Sequence, residues 1–142
     1  MASREVFVDA SAWIALSDVG DKYHHAAKGA LQQLVDDGRI FVTTNLVIAE
    51  AYIVVRRTGG HAQAMRLLGS LRGSPRLAKV HSDAGLESVA EDILEKYVDQ
   101  GFSLADAVSF AVMRERGIAQ AFTFDRHFVT MGFEQLPAQA SR

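Results

Sequence analysis

The spacing of apolar and polar residues changes period repeatedly along the chain. "EVFVDAS" (5–11) is a β-branched and aromatic run closed by an acid and a hydroxyl, which predicts a strand over about 5–9. "DKYHHAAKGALQQLVDDG" (21–38) puts Tyr23, Ala27, Ala30, Leu31 and Leu34 on one face, with Asp21 to cap the start and Gly38 to end it, so a helix is expected. "RIFVTT" (39–44) reads as a second strand. The apolar run that follows is too long for one strand, and its length favours a helix capped by Thr44 or Asn45 and running to the Gly59-Gly60 break. Helices are expected over 61–75, 82–101 and 103–117, and strands over 76–81 and 118–125. The clearest helix is 82–101: Leu86, Val89, Ala90, Ile93, Leu94 and Tyr97 keep the 3.6-residue period, Ser82 or Asp83 caps it and Gly101 ends it. "RHFVTMG" predicts a turn or short helix, "FEQLP" (133–137) an edge strand, and 138–142 a loose tail.

Strands alternate with helices, so the fold class is α/β, with a central, mainly parallel sheet covered by helices on both faces. Ligands in such folds bind beyond the carboxyl ends of the strands. The length, 142 residues, suits one domain with a core at about 5–137. There are no cysteines, which excludes a disulfide scaffold, a thiol nucleophile and a cysteine zinc site. The N-terminus lacks an apolar leader and no segment reaches the ~18 apolar residues of a membrane span, so a soluble, cytoplasmic protein with no membrane contact is expected. Net charge is −2, so a nucleic-acid site would need a local basic patch or metal ions over an acidic cluster.

Four acids stand out by their settings. Glu50 sits alone in "LVIAEAYIVV" (46–55), flanked at helical spacing by Leu46, Val47, Ile53 and Val54. A carboxylate there either points to solvent, pairs with a buried cation, or shares a cleft with other acids or a metal. Arg56 and Arg57 lie beyond the useful i+3 and i+4 reach. Asp9 and Asp125 sit at two predicted strand ends, where capping and turn roles compete with function. Asp106 follows Ser103 in "SLAD", a capping-box spacing that could explain both residues, yet the sequence after it is as apolar as that around Glu50. Thr123 and Asp125, two apart on the expected strand, would point the same way.

If these carboxylates meet, they repel one another and hold protons at neutral pH unless a divalent cation is present. An all-oxygen donor set suits Mg²⁺ or Mn²⁺, and one or two such ions support phosphodiester hydrolysis. The histidines do not alter this. His24 and His25 read as solvated helix-start residues, His61 begins a helix, His81 ends a strand, and His127, close after Asp125, has an ordinary structural reading. No HExxH, GxSxG, Walker A or GxGxxG motif is present, and Asp9 lacks the second acid of a phosphoaspartyl hydrolase or receiver domain.

"VFVDASAWIAL", "TTNLVIAEAYIVV", "FSLADAVSFAVMRERGI" and "AFTFDRHF", in this order and spacing, resemble PIN-domain proteins, and among them the VapC-type toxins of type II toxin–antitoxin systems. The resemblance covers about 5–137. It implies a three-layer α/β/α fold and an Mg²⁺- or Mn²⁺-dependent ribonuclease. It assigns Asp9, Glu50, Asp106 and Asp125 as the catalytic, metal-holding acids, with Ser11 and Thr123 in support. It also implies a homodimer and a small antitoxin partner. Arg56, Arg57, Arg114, Arg116 and Arg126 are the candidates for gathering RNA phosphates. Two other readings stay open: a PIN nuclease of RNA processing outside a toxin system, and a non-catalytic binding module on the same fold.

Overall fold

The structure is a computed structural model and describes residues 3–138. All but Ala138 of the expected tail lies outside the described residues. The order of elements is β1 (Glu5–Val8), α1 (Ala10–Ser17), α2 (His24–Asp36), β2 (Ile40–Thr44), α3 (Asn45–Arg72), β3 (Leu77–Val80), α4 (Ala84–Lys96), α5 (Leu104–Arg116), β4 (Gln120–Phe122), α6 (His127–Thr130) and β5 (Glu134–Leu136). The strands form one sheet in the order β3-β2-β1-β4-β5, and every pairing is parallel.

Burial explains why the sheet sits between helices. Val6, Phe7 and Val8 are consecutive and all buried, although neighbouring strand residues face opposite sides. Both faces of β1 are therefore covered, and the same holds for Phe41 to Thr44 on β2. The result is the three-layer α/β/α arrangement. Phe7, Phe110, Phe122, Phe124 and Phe128 are among the largest fully buried side chains, and Phe110 meets Phe128 edge to face at 5.1 Å. α5 is buried continuously from Ala105 to Met113, which is why its sequence shows little of the one-sided pattern of a surface helix. Among the described residues no helix is long and apolar enough to cross a membrane.

The sheet order places a reversal at its centre. From β1 the chain steps to β2 and β3 on one side, then crosses to β4 and β5 on the other. The carboxyl ends of β1 and β4 flank that switch point, the place where open α/β sheets leave a crevice.

Several boundaries differ from expectation for local reasons. α2 begins at His24 because the Asp21 carboxylate accepts from Tyr23 N at 2.9 Å, in a turn ahead of the helix. His24 is buried, not solvated, and its Nδ1 sits 2.8 Å from the Ala15 carbonyl. α3 continues through the Gly59-Gly60 pair in outline, but Gly60 has φ 87° and ψ 176°, a backbone state essentially restricted to glycine, so the helix breaks there. α4 ends at Lys96, well before Gly101: Tyr97 leaves helical geometry and packs against Phe102, ring centres 5.9 Å apart. β4 stops at Phe122, so Asp125 lies in the loop beyond the strand. There the Thr123 hydroxyl accepts from Asp125 N at 2.9 Å, taking the donor that a longer strand would offer to its neighbour.

Candidate active site

Asp9, Glu50, Asp106 and Asp125, from four separated parts of the sequence, line one crevice together with Ser11, Val54, Thr58 and Ser103. Each acid is positioned by a different local device. Asp9 ends β1 and caps α1. Its Oδ2 accepts from Ser11 Oγ at 2.8 Å and from Thr123 Oγ1 at 2.9 Å. Ser11 Oγ in turn accepts from Phe124 N at 2.9 Å, which ties the start of α1 to the loop after β4. Ser11 and Thr123 thus fix the first acid at the sheet's switch point.

Glu50 is carried by the first half of α3. Val54 and Thr58 follow it at four-residue steps along the same stripe, so this face of the helix forms one wall of the crevice. Val47 behind it is fully buried, whereas Ile53 is 48% exposed, so the carboxylate occupies the seam between core and solvent. Asp106 completes a capping box with Ser103: Ser103 N donates to Asp106 Oδ2 and Asp106 N donates to Ser103 Oγ, both at 3.0 Å. The two readings of "SLAD" are therefore compatible, because the capping carboxylate also faces the crevice. Asp125 is set by its own turn, where Oδ1 accepts from His127 N at 3.0 Å.

Two contributors escaped the sequence reading, and a third was weighed there but given an ordinary role. Asp18 and Asp21 also line the crevice, each accepting from a backbone N–H two residues on, at 2.9 Å. Acids two residues before a turn donor look like ordinary loop residues, and nothing in the sequence tied them to the other four. His127, assigned an ordinary structural role, lies with Nδ1 3.2 Å from Asp106 Oδ2 and 3.4 Å from Asp125 Oδ1. Its place two residues after Asp125 was the available signal.

The electrostatics follow from this crowding. Among the described residues lining the crevice there is no Lys or Arg. Burial pushes the Asp9 carboxyl up to about 6; the charge of Asp106 adds to the rise and hydrogen bonds from Ser11 and Thr123 oppose it. Glu50 is pushed up to about 7, first by burial, then by the charges of Asp106 and Asp9. At neutral pH part of the site keeps protons that a cation would displace. Asp106, Asp125 and His127 bring three donor atoms within 4.8 Å of one another, a spacing compatible with a shared ion. Oxygen donors, excess negative charge and convergence together fit a divalent cation.

The arginine candidates divide. Arg126 is exposed beside Asp125, and Arg57 is exposed about two turns beyond Glu50 on the same side of α3. Arg56 is exposed but turned further round that helix. Arg114 and Arg116 are not brought to the crevice. They lie roughly 12 and 15 Å along α5 from Asp106, line a different cavity beside α4, and Arg116 is engaged with Glu5 at 2.6 Å.

A parallel sheet with an acidic crevice at its switch point agrees with the family-level match: the PIN domain model matches residues 6–134, and the chain belongs to the PIN-domain family. Within it, the chain is 34% identical over 131 residues to the 23S rRNA-specific endonuclease VapC20 of Mycobacterium tuberculosis, in strains CDC 1551 and H37Rv alike. That alignment covers 92% of this chain and 97% of the relative. The crystal structure of Mycobacterium tuberculosis VapC20, described as a sarcin-ricin loop cleaving toxin, superposes with a TM-score of 0.81 at 34% identity, over 90% of this chain and 95% of that one.

Proposed function

We propose that the protein is a divalent-metal-dependent endoribonuclease and the toxin of a type II toxin–antitoxin pair. The observation that carries the reading is the meeting of four carboxylates from β1, α3, α5 and the loop after β4 in one crevice of a PIN fold. Asp9, Glu50, Asp106 and Asp125 would hold one or two Mg²⁺ or Mn²⁺ ions. A bound ion supplies Lewis acidity, making water a better nucleophile and offsetting charge on the leaving oxygen. The chain's own residues do the positioning. Ser11 and Thr123 hold Asp9 by two hydroxyl donors to one oxygen. The capping box fixes Asp106 at the buried start of α5. Protons on Asp9 and Glu50, held by burial and mutual repulsion, give way on metal binding, so affinity for the ion rises with pH.

Arg57 and Arg126, both exposed, would meet RNA phosphates at the rim. Similarity to the VapC20 endonuclease makes large-subunit ribosomal RNA the first substrate to test, and a small antitoxin and a homodimer belong to the same reading. The experiment is cleavage of 23S rRNA by purified protein with Mg²⁺ or Mn²⁺, with RNA ends mapped by sequencing. Asp9→Asn is expected to lower the cleavage rate by about a hundredfold or more. Equal rates for wild type and variant would overturn the assignment.

A further inference from the structure

One imidazole lies beside two of the crevice's acids, and its position asks more of it than packing. His127 Nδ1 lies 3.2 Å from Asp106 Oδ2 and 3.4 Å from Asp125 Oδ1. A ring nitrogen carries at most one hydrogen, so it can serve as donor to one of these carboxylates and leaves the other facing it without a shared proton. Donors that share an ion with bonds of about 2.1 Å lie about 3 Å apart when at right angles. The nitrogen therefore sits at the spacing of a co-ligand to both acids. The ring is also held in place. Its edge meets Phe102 at 5.1 Å between ring centres, and its own backbone N–H is fixed on Asp125 Oδ1. Histidine at the first residue of α6 thus presents Nδ1 to the two carboxylates with little freedom to turn away.

We propose that His127 Nδ1 is a protein ligand to the divalent ion shared with Asp106 and Asp125, and that it shifts the preference of the site from Mg²⁺ toward first-row transition ions. The inference rests on the metal-dependent reading of the crevice and adds the nitrogen that the oxygen-only set lacked. With the ion bound, the neutral ring would carry its proton on Nε2 and offer the Nδ1 lone pair to the ion. Mg²⁺ takes oxygen donors and keeps its water, whereas imidazole suits Zn²⁺, Fe²⁺, Ni²⁺ and Cu²⁺; Mn²⁺ is mostly oxygen-bound but accepts an imidazole more readily than Mg²⁺ does, and it is the spin-active probe. One nitrogen in the set is a selective element.

The test uses the full-length protein with one equivalent of Mn²⁺ and reads pulsed EPR for nitrogen coupling, with ¹⁵N-histidine labelling to assign it. Wild type is expected to show directly coordinated imidazole nitrogen, and His127→Gln to lose it. The variant should bind Mn²⁺ at least about tenfold more weakly, the loss seen even for outer partners of a metal, and Mg²⁺ with a smaller loss, so the Mn²⁺/Mg²⁺ ratio falls. A residue that only positioned the acids would lower both affinities together. Mn²⁺ bound without nitrogen coupling overturns the role of His127 and leaves the carboxylate site standing. Coupling that persists in His127→Gln does the same. Absence of Mn²⁺ binding overturns both. A wild-type spectrum without nitrogen coupling overturns the role even if His127→Gln does not fold, and His127→Asn is the second variant for assigning a coupling that is seen.

Discussion

At the amino ends of the strands, Arg116 meets Glu5 at 2.6 Å, Arg39 donates to Gln120 at 2.5 Å, and Arg4 donates to the Gly38 carbonyl at 2.8 Å. At the carboxyl ends, Asp9, Glu50, Asp106 and Asp125 face one another, with two of them pushed up to about 6 and about 7. One end of the sheet gives its arginines hydrogen-bond partners, one of them a carboxylate; the other gathers acids with no Lys or Arg among the described residues lining it. The second arrangement costs folding free energy, and it is where a ligand of opposite charge gains most. The same sheet separates an end where cations are tied down from one where acids converge.

The contrast can be broken most visibly at Asp9. Its carboxyl is raised from 3.8 to about 6 by folding, so the native state binds the proton more tightly than the unfolded chain. Stability from this group is fully present below about pH 4 and is lost as pH rises through 6; Glu50 extends the decline towards 7. In EDTA, the melting temperature should therefore fall between about pH 4 and 7 and level off above. Asp9→Asn should raise it at pH 8 by on the order of 5 °C, since a shift of this size is roughly 2–3 kcal/mol. The gain should vanish near pH 4, and Mn²⁺ should stabilise wild type more than the variant. Thermal melts followed by circular dichroism check this; an Asn variant less stable than wild type at pH 8 would count against a carboxylate strained by burial and, secondarily, by the charge of Asp106.

A smaller effect is expected from Ser103→Ala. Losing the acceptor for Asp106 N should cost about 1 kcal/mol, near the usual value for an N-cap, and lower the melting temperature by roughly 2–4 °C. The Ser103 backbone N–H that holds the Asp106 carboxylate survives in Ala, but the hydroxyl that hydrogen-bonds Glu50 is lost, so the cleavage rate should drop by more than the stability loss explains. The least effect belongs to the other end of the sheet. Glu5→Gln removes an exposed ion pair whose loss is expected to cost at most about 1 kcal/mol. Urea unfolding should record that change while RNA cleavage stays at the wild-type rate, although Arg116 was a candidate for RNA contact.

The same contrast decides what could be read before the structure. Glu50 was legible because a single acid in an apolar helix has few structural excuses. The alternation of strand and helix gave the parallel sheet, and "SLAD" gave the start of α5. Arg116 was misplaced because its partner Glu5 is 111 residues away, and a charge pair of that separation leaves no local mark. The end of β4 was overrun because the competitor for Asp125 N is the Thr123 side chain, and strand propensity does not register that bond. His127 was set aside because its meaning depends on Asp106, brought beside it only by the packing of α5 against the sheet.

Asp106 Oδ2 answers at once to the Ser103 backbone and to His127. An inactivated form of the protein, whether for capturing an intact RNA or for producing the chain in a living host, must therefore keep an acceptor at that atom. Asn retains one and Ala does not. The amide is the substitution that separates the loss of the charge from a loss of shape, and the methyl would confound them.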